Sequence, residues 1–172
     1  NLINDLSTLS RAERGDLEKN IENINAHEFV ESLLLSYEKD AKEKGLKLHV
    51  DIDPSLELFS SVKLYVQEIL QNFITNAIKY TDKGSVAITA VKRDKGVEFS
   101  VIDSGIGIAK GDQTRVFDKF FRSEDYHTRQ QNGTGLGLYV THKLAQLAEA
   151  EISVESELGK GSTFTIYFPN LK

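Results

Sequence analysis

Glu68-Ile69-Leu70-Gln71-Asn72-Phe73-Ile74-Thr75-Asn76-Ala77-Ile78-Lys79-Tyr80 is the stretch on which the reading of this chain turns. On a helical wheel Val62, Val66, Ile69, Leu70, Phe73, Ile74, Ala77 and Ile78 cover about half the circumference. Glu68, Asn72, Asn76 and Lys79 fall together in a narrow sector beside that apolar arc. The spacing predicts one long helix from about Val62 to Tyr80, which Asp82-Lys83-Gly84 brings to an end. A polar stripe is ordinarily a solvated face. Solvated faces, however, favour strong helix formers, and asparagine is a weaker one. Two asparagines one turn apart set two amide oxygens and two amide donors on one side. An amide oxygen is a hard, neutral ligand of the kind magnesium accepts, and magnesium takes few protein ligands, keeping waters and substrate phosphates. Lys79 would offset phosphate charge, and Tyr80 offers a flat ring beside it.

Downstream lie two glycine-rich turns. Asp103-Ser104-Gly105-Ile106-Gly107-Ile108 follows the alternating strand pattern of Val97, Phe99 and Val101. Taken alone it is an ordinary strand-to-loop turn. As a site, its carboxylate would accept the exocyclic amine of adenine, the glycines would let backbone approach the ring, and Ile106 and Ile108 would wall it. Such a carboxylate favours adenine over guanine, whose matching position is an acceptor. Gly133-Thr134-Gly135-Leu136-Gly137-Leu138 runs into a helix start, an arrangement that aims backbone amides and the helix dipole at an anion. It reads equally well as a plain helix-starting turn. The dinucleotide fingerprint has a different spacing and a preceding strand, and Gly159-Lys160-Gly161-Ser162 lacks the phosphate-loop spacing.

Between the turns, residues 108–133 show little periodicity, and irregular loops of that length are uncommon unless functional or disordered. Phe117, Phe120 and Phe121 would pin such a lid to the body, with Lys119 and Arg122 reaching phosphates. The plainer alternative is a small satellite core with solvated charges.

The remaining pattern fills in the fold. Residues 1 to about 19 read as an amphipathic helix through Leu2, Ile3, Leu6 and Leu9. Asn25 and Glu28 form a capping pair for a helix ending at Gly45. Leu46 to Ile52 alternates as a strand, Leu58-Phe59 makes a short second one, and Ser85 to Lys92 and Val97 to Asp103 form a hairpin through Asp94-Lys95-Gly96. Asp112 to Phe120 is weakly helical, Leu136 to Ala148 is a helix, and Glu151 to Glu155 and Ser162 to Phe168 are strands. The sum is an α/β two-layer sandwich: a mixed, mainly antiparallel sheet with helices on one face.

Composition fits an ordinary globular domain: 172 residues, 40% hydrophobic and 27% charged. With no cysteine there is neither a disulfide framework nor a thiolate metal site. A net charge of −5 argues against nucleic acid as a partner, since that binding rests on a basic surface. No apolar run is long enough to span a bilayer. Because the chain opens inside a helix, it reads as a piece of something longer, with any anchor or sensor upstream.

Together these segments resemble the catalytic and ATP-binding domain of bacterial sensor histidine kinases, within the superfamily that also holds the ATPase domains of gyrase, heat-shock chaperones and mismatch-repair proteins. The resemblance covers residues 25–172. Asn72 to Tyr80 is similar to the asparagine box, Asp103 to Gly107 to the first glycine box, and Phe117 to Arg122 to the phenylalanine box. Gly133 to Leu138 is similar to the second glycine box, and Gly161-Ser162-Thr163-Phe164 to the closing strand motif.

The resemblance implies MgATP as the ligand, with Asn72 on the metal, Asn76 and Lys79 on phosphates and Tyr80 near adenine. Asp103 would read the adenine amine beside Gly105, Gly107 and Ile108. Gly133, Thr134, Gly135, Leu136 and Gly137, with Arg122 and Thr163, would complete the nucleotide pocket under a mobile ATP lid. It implies that residues 1–20 are the end of the dimerisation and phosphoacceptor helix with its linker, and 21–172 the catalytic domain. Its partners would be its own dimerisation domain and a response regulator receiver domain. The parent would be a homodimer, cytoplasmic or anchored in the inner membrane, and this chain a monomer. The phosphoacceptor motif is absent: His27, His49, His127 and His142 all lack its acidic-proline context. Ser61 stands where many relatives carry an acid, and Ala148-Glu149-Ala150 replaces a glycine-rich turn. Two alternatives stay open, an ATP-hydrolysing switch of the gyrase type using Glu68 on water, and a degenerate nucleotide-sensing module.

Overall fold

The structure is a computed structural model that describes residues 2–16, 19–122 and 135–171. Helix α1 (Leu2–Arg14) stops at Gly15, whose φ of +71° suits glycine and closes the turn well before residue 19. Strand β1 (Ile21–Asn25) follows, and Asn25 then caps helix α2 (Ala26–Glu43), its Oδ1 accepting the Glu28 N–H at 3.1 Å as the capping pair predicts. Helix α2 ends in a paired closure: Leu46 N–H donates to Ala41 O and Gly45 N–H to Lys42 O, with Gly45 at φ +76°.

Strand β2 (Lys47–Ile52) and β3 (Leu58–Val62) lead into α3 (Lys63–Tyr80). Among the described residues no side chain caps the start of α3, and the neighbouring Ser61 hydroxyl is buried with no hydrogen-bond partner. Strands β4 (Ser85–Arg93) and β5 (Gly96–Asp103) form the expected hairpin. The stretch from Asp112 to Phe120 is a run of turns, not a helix; each bond from Ala109 to Asp118 spans only three residues. Helix α4 (Gly137–Leu147), β6 (Glu151–Glu157) and β7 (Gly161–Phe168) complete the described chain.

The main sheet has the order β2-β4-β5-β7-β6, with β2 parallel to β4 and every other pair antiparallel. Strands β1 and β3 stand apart as a two-stranded sheet, so the predicted single sheet is two. One face of the large sheet presents Val86, Ile88, Ala90, Val97, Phe99, Val101, Phe164, Ile166 and Phe168, all buried under the helices. Phe99 lies at the centre, meeting Phe29 of α2, Phe59 of β3 and Phe168 of β7 with centroids 5.7–6.2 Å away. Such edge-on contacts contribute about 0.5–1.5 kcal/mol each beyond area burial. Helix α1 rests chiefly on α4, and Leu9, 4% exposed, joins the common core. No helix among the described residues is long and apolar enough to cross a membrane.

Candidate functional site

Strand alternation aims Asp103. Positions 97, 99 and 101 face the helices, so Asp103, the last residue of β5, faces them too, beside the end of α3. Its Oδ1 accepts N–H groups from Gly105 at 2.9 Å and Ser162 at 3.2 Å, while Oδ2 accepts none among the described residues. Burial raises this carboxyl above its ordinary value, and the two N–H donors pull it partly back. One oxygen is thus fixed to backbone and the other is left for a donor.

The glycines of the first turn are packed against the chain's own backbone. A Cβ on Gly105 would lie 2.4 Å from Tyr80 O and 2.8 Å from Thr81 Oγ1. Gly107 has φ +71°, and a Cβ there would meet Glu157 O at 2.1 Å. The loop is tied to the β6–β7 hairpin: Ile108 N–H donates to Ser156 Oγ, Gly159 N–H to Ile106 O, and the Gln113 amide to Ile108 O and Ser156 O. Ile106 N–H also donates to Tyr80 O at 3.1 Å, joining the loop to α3.

On α3, Asn72 donates through Nδ2 to Gly137 O at 3.2 Å and Thr141 Oγ1 at 2.9 Å. Both amide protons go to α4, and the carbonyl acceptor fixes which end is nitrogen. Oδ1 accepts no hydrogen bond among the described residues. Asn76 is half-buried one turn further on. Lys79 is half-buried, 5.1 Å from the centroid of the Tyr80 ring. Burial, and then the Arg122 guanidinium, hold its ammonium below the ordinary value. Burial raises the Tyr80 phenol while the Arg122 charge opposes it, so Arg122 acts on both residues.

Among the described residues no side chain caps the start of α4, where a helix has N–H groups without intrahelical partners. Gly135 has φ +71° and its carbonyl accepts the Phe120 N–H at 2.9 Å, with Phe120 itself at φ +61°. Leu136 is buried in the core. Gly133 and Thr134 lie outside the described residues, as does the rest of the predicted lid beyond Arg122.

Several placements differ from the sequence reading. Phe117 does pin its segment, stacked on His142 at 5.8 Å and edge-on to Phe164. Phe120, by contrast, is 61% exposed, and Phe121 lies beneath the Arg115 guanidinium. Lys119 pairs with Glu13 of α1 at 3.6 Å. Thr163 is opposite Ile102 on the far face of the sheet, and the position beside Asp103 belongs to Ser162. Glu68 borders a polar cleft of about 490 Å³ between α1, α2 and α3, near Asp5 and Tyr37. Burial, and then the Asp5 carboxylate, raise its own carboxyl. Thr141 and Ser162 were missed in sequence; the one available signal was a polar residue on the buried side of a helix or strand.

Residues 61–172 match the family described as histidine kinase-, DNA gyrase B- and HSP90-like ATPases, which is most of the chain. The chain belongs to this family. Hybrid signal transduction histidine kinase L of Dictyostelium discoideum is 35% identical over 171 residues, covering 95% of this chain and 10% of that protein. Histidine protein kinase SaeS of Staphylococcus epidermidis is 33% identical over 149 residues, covering 85% of this chain and 42% of that protein. The crystal structure of full-length ShkA in complex with AMPPNP superposes with a TM-score of 0.89 at 27% identity, covering 99% of this chain and 35% of that one. The chain therefore spans less than half the length of these relatives. Within the ATPase family its likeness is to the catalytic region of histidine kinases, and the α/β sandwich is shared with them.

Proposed function

We propose that the chain binds MgATP between α3, the first glycine turn and the start of α4, and that it transfers the γ-phosphoryl group to a histidine on a separate domain of its parent protein. The observation that carries this reading is the Asp103 carboxylate beside the end of α3, its Oδ1 held by the Gly105 and Ser162 N–H groups and its turn tied to Tyr80 O through the Ile106 N–H. Lys79 and Arg122 would hold phosphates, the uncapped N–H groups of α4 would receive another phosphate oxygen, and Asp103 would accept the adenine amine through Oδ2. Tyr80 would flank the base beside Gly105, Gly107 and Ile108.

The donor set fits magnesium. No group of three His, Cys, Asp or Glu side chains among the described residues is placed to hold a metal ion, so the ion would rest on phosphates and water with Asn72 Oδ1 as its protein ligand. The ion would supply charge neutralisation at the phosphates. Phosphoryl transfer depends chiefly on alignment and charge stabilisation, so such a domain needs a clamp more than a nucleophile of its own. Asn72 provides one fixed point of that clamp through its bonds to α4.

In the same reading, residues 1–20 are the end of the dimerisation and phosphoacceptor helix, and 21–172 the catalytic domain. A response regulator would receive the phosphoryl group, the parent would be a homodimer with or without a membrane anchor, and this chain a monomer. The test combines the chain with labelled ATP, magnesium and a phosphoacceptor domain from the same parent. Acid-labile, base-stable label on that domain is the expected result. Free phosphate alone would indicate hydrolysis, and binding without either product would indicate a sensing module.

A further inference from the structure

The last turn of α3 carries Lys79 and Tyr80, yet α3 ends without glycine, its C-cap Thr81 being extended. A helix end leaves its final carbonyls without intrahelical donors. Here they are met from outside. Lys44 Nζ donates to Ile78 O at 2.6 Å and to Lys79 O at 2.8 Å, and Ile106 N–H donates to Tyr80 O. Lys44 Nζ also stands 3.9 Å from the Asp82 carboxylate just beyond the helix. A cation at a helix C-terminus is favourable both as a donor and against the dipole.

Lys44 is itself held firmly. It is the C-cap of α2, followed by Gly45 at φ +76° and locked by the bonds from Gly45 to Lys42 and Leu46 to Ala41. Its side chain is only 31% exposed. A fixed backbone on α2 thus reaches across to the carbonyl of the residue whose ammonium borders the candidate phosphate site.

We infer that Lys44 is a positioning residue for nucleotide binding, holding the last turn of α3 so that Lys79 meets the phosphates. The inference rests on the reading of Lys79 as a phosphate contact. Lys44 touches no ligand; it acts through the backbone of Ile78 and Lys79. Removing it leaves two carbonyls to water and lets the final turn fray, so the Lys79 side chain is no longer delivered from a rigid base.

The experiment is a double-mutant cycle on MgATP affinity, read by titration calorimetry at a temperature where every variant is fully folded by circular dichroism. Lys44→Met should weaken MgATP binding about tenfold, as expected when hydrogen bonds to a charged donor are lost. Lys44→Arg, which keeps a cation and its donors, should recover most of that loss. In a Lys79→Met background the Lys44→Met change should add little. An equal loss in both backgrounds would make Lys44 a general support of the fold and overturn the inference, and so would undiminished affinity in Lys44→Met. Failure of the unaltered chain to bind MgATP, or of Lys79→Met to weaken it, would instead strike the parent reading, and this inference would fall with it.

Discussion

Thr141 on α4 accepts a hydrogen bond from the Asn72 amide of α3 at 2.9 Å, while its own hydroxyl donates to Gly137 O at the same distance. The two helices are therefore locked at the level where the polar stripe faces the start of α4. Thr141→Val keeps the shape and removes the acceptor. It should lower stability by about 1 kcal/mol and loosen the amide whose Oδ1 would, in the proposed reading, meet the cation. Asn72→Ala should go further and abolish the magnesium-dependent share of ATP affinity. Titrations with and without magnesium decide the point; an unchanged ratio in Asn72→Ala would remove Asn72 from the metal.

Gly105 and Gly111 make a matched pair. A Cβ on Gly105 would crowd Tyr80 O, Thr81 Oγ1 and Asp103 Oδ1, whereas Gly111 has open space and no positive φ. Gly105→Ala should destabilise the chain by about 1–3 kcal/mol, as overpacking does, and weaken nucleotide binding by moving Asp103. Gly111→Ala should leave binding alone and raise stability by about 0.4–1 kcal/mol through the unfolded state. Denaturant melts of the two variants give the comparison.

Asp103 carries a burden at neutral pH. Its folded carboxyl lies above 3.8, chiefly through burial. A raised carboxyl favours folding fully only below its unfolded value, and that support is lost as pH rises through the folded value. Asp103→Asn keeps an acceptor for the Gly105 and Ser162 N–H groups without a charge to desolvate. The variant should melt above the unaltered chain at neutral pH, its advantage shrinking as the solution is acidified. Its ATP affinity should drop about tenfold or more, because an amide is the weaker acceptor for the adenine amine. Melting curves across pH, with one binding titration, test both halves.

Lys79 should take up protons when a polyanion arrives. In the free chain its ammonium sits below 10.5 through burial and the Arg122 charge. For a lysine lowered in this way, folding gains stability as pH rises through the folded value toward 10.5. Phosphates restore the charged form, so ATP affinity should fall as pH climbs through the free-state value. Calorimetry in two buffers of different ionisation enthalpy should show net proton uptake in that alkaline range. Lys79→Gln should flatten the dependence, and an identical slope in that variant would discard the assignment.

The parts of this molecule written in local pattern were legible, and those made by partners were not. Helix α3 and its stripe follow from periodicity, and the turn at Gly105 and Gly107 from glycine spacing at a strand end. Strand β1 went unseen because only Ile24 of its residues is buried, and it exists by pairing with β3. Asp112 to Phe120 has apolar residues at helical spacing, yet Val116 is buried and Phe117 packs against the core from a chain of turns. Thr163 and Ser162 are adjacent in sequence, and only the register with β5 says which shares the face of Asp103. Lys44 and Thr141 gave no motif at all, since each matters through an atom of a helix far along the chain.

The seating of α1 has a mechanical consequence. Leu9 is wedged among core side chains, and Glu13 grips Lys119, two residues past Phe117 in the pinned segment. A tilt of this helix would have to move Leu9 within the core. It would press on α4, against which the helix rests, and through Glu13 on Lys119, so the leading helix would act as a lever rather than a tether.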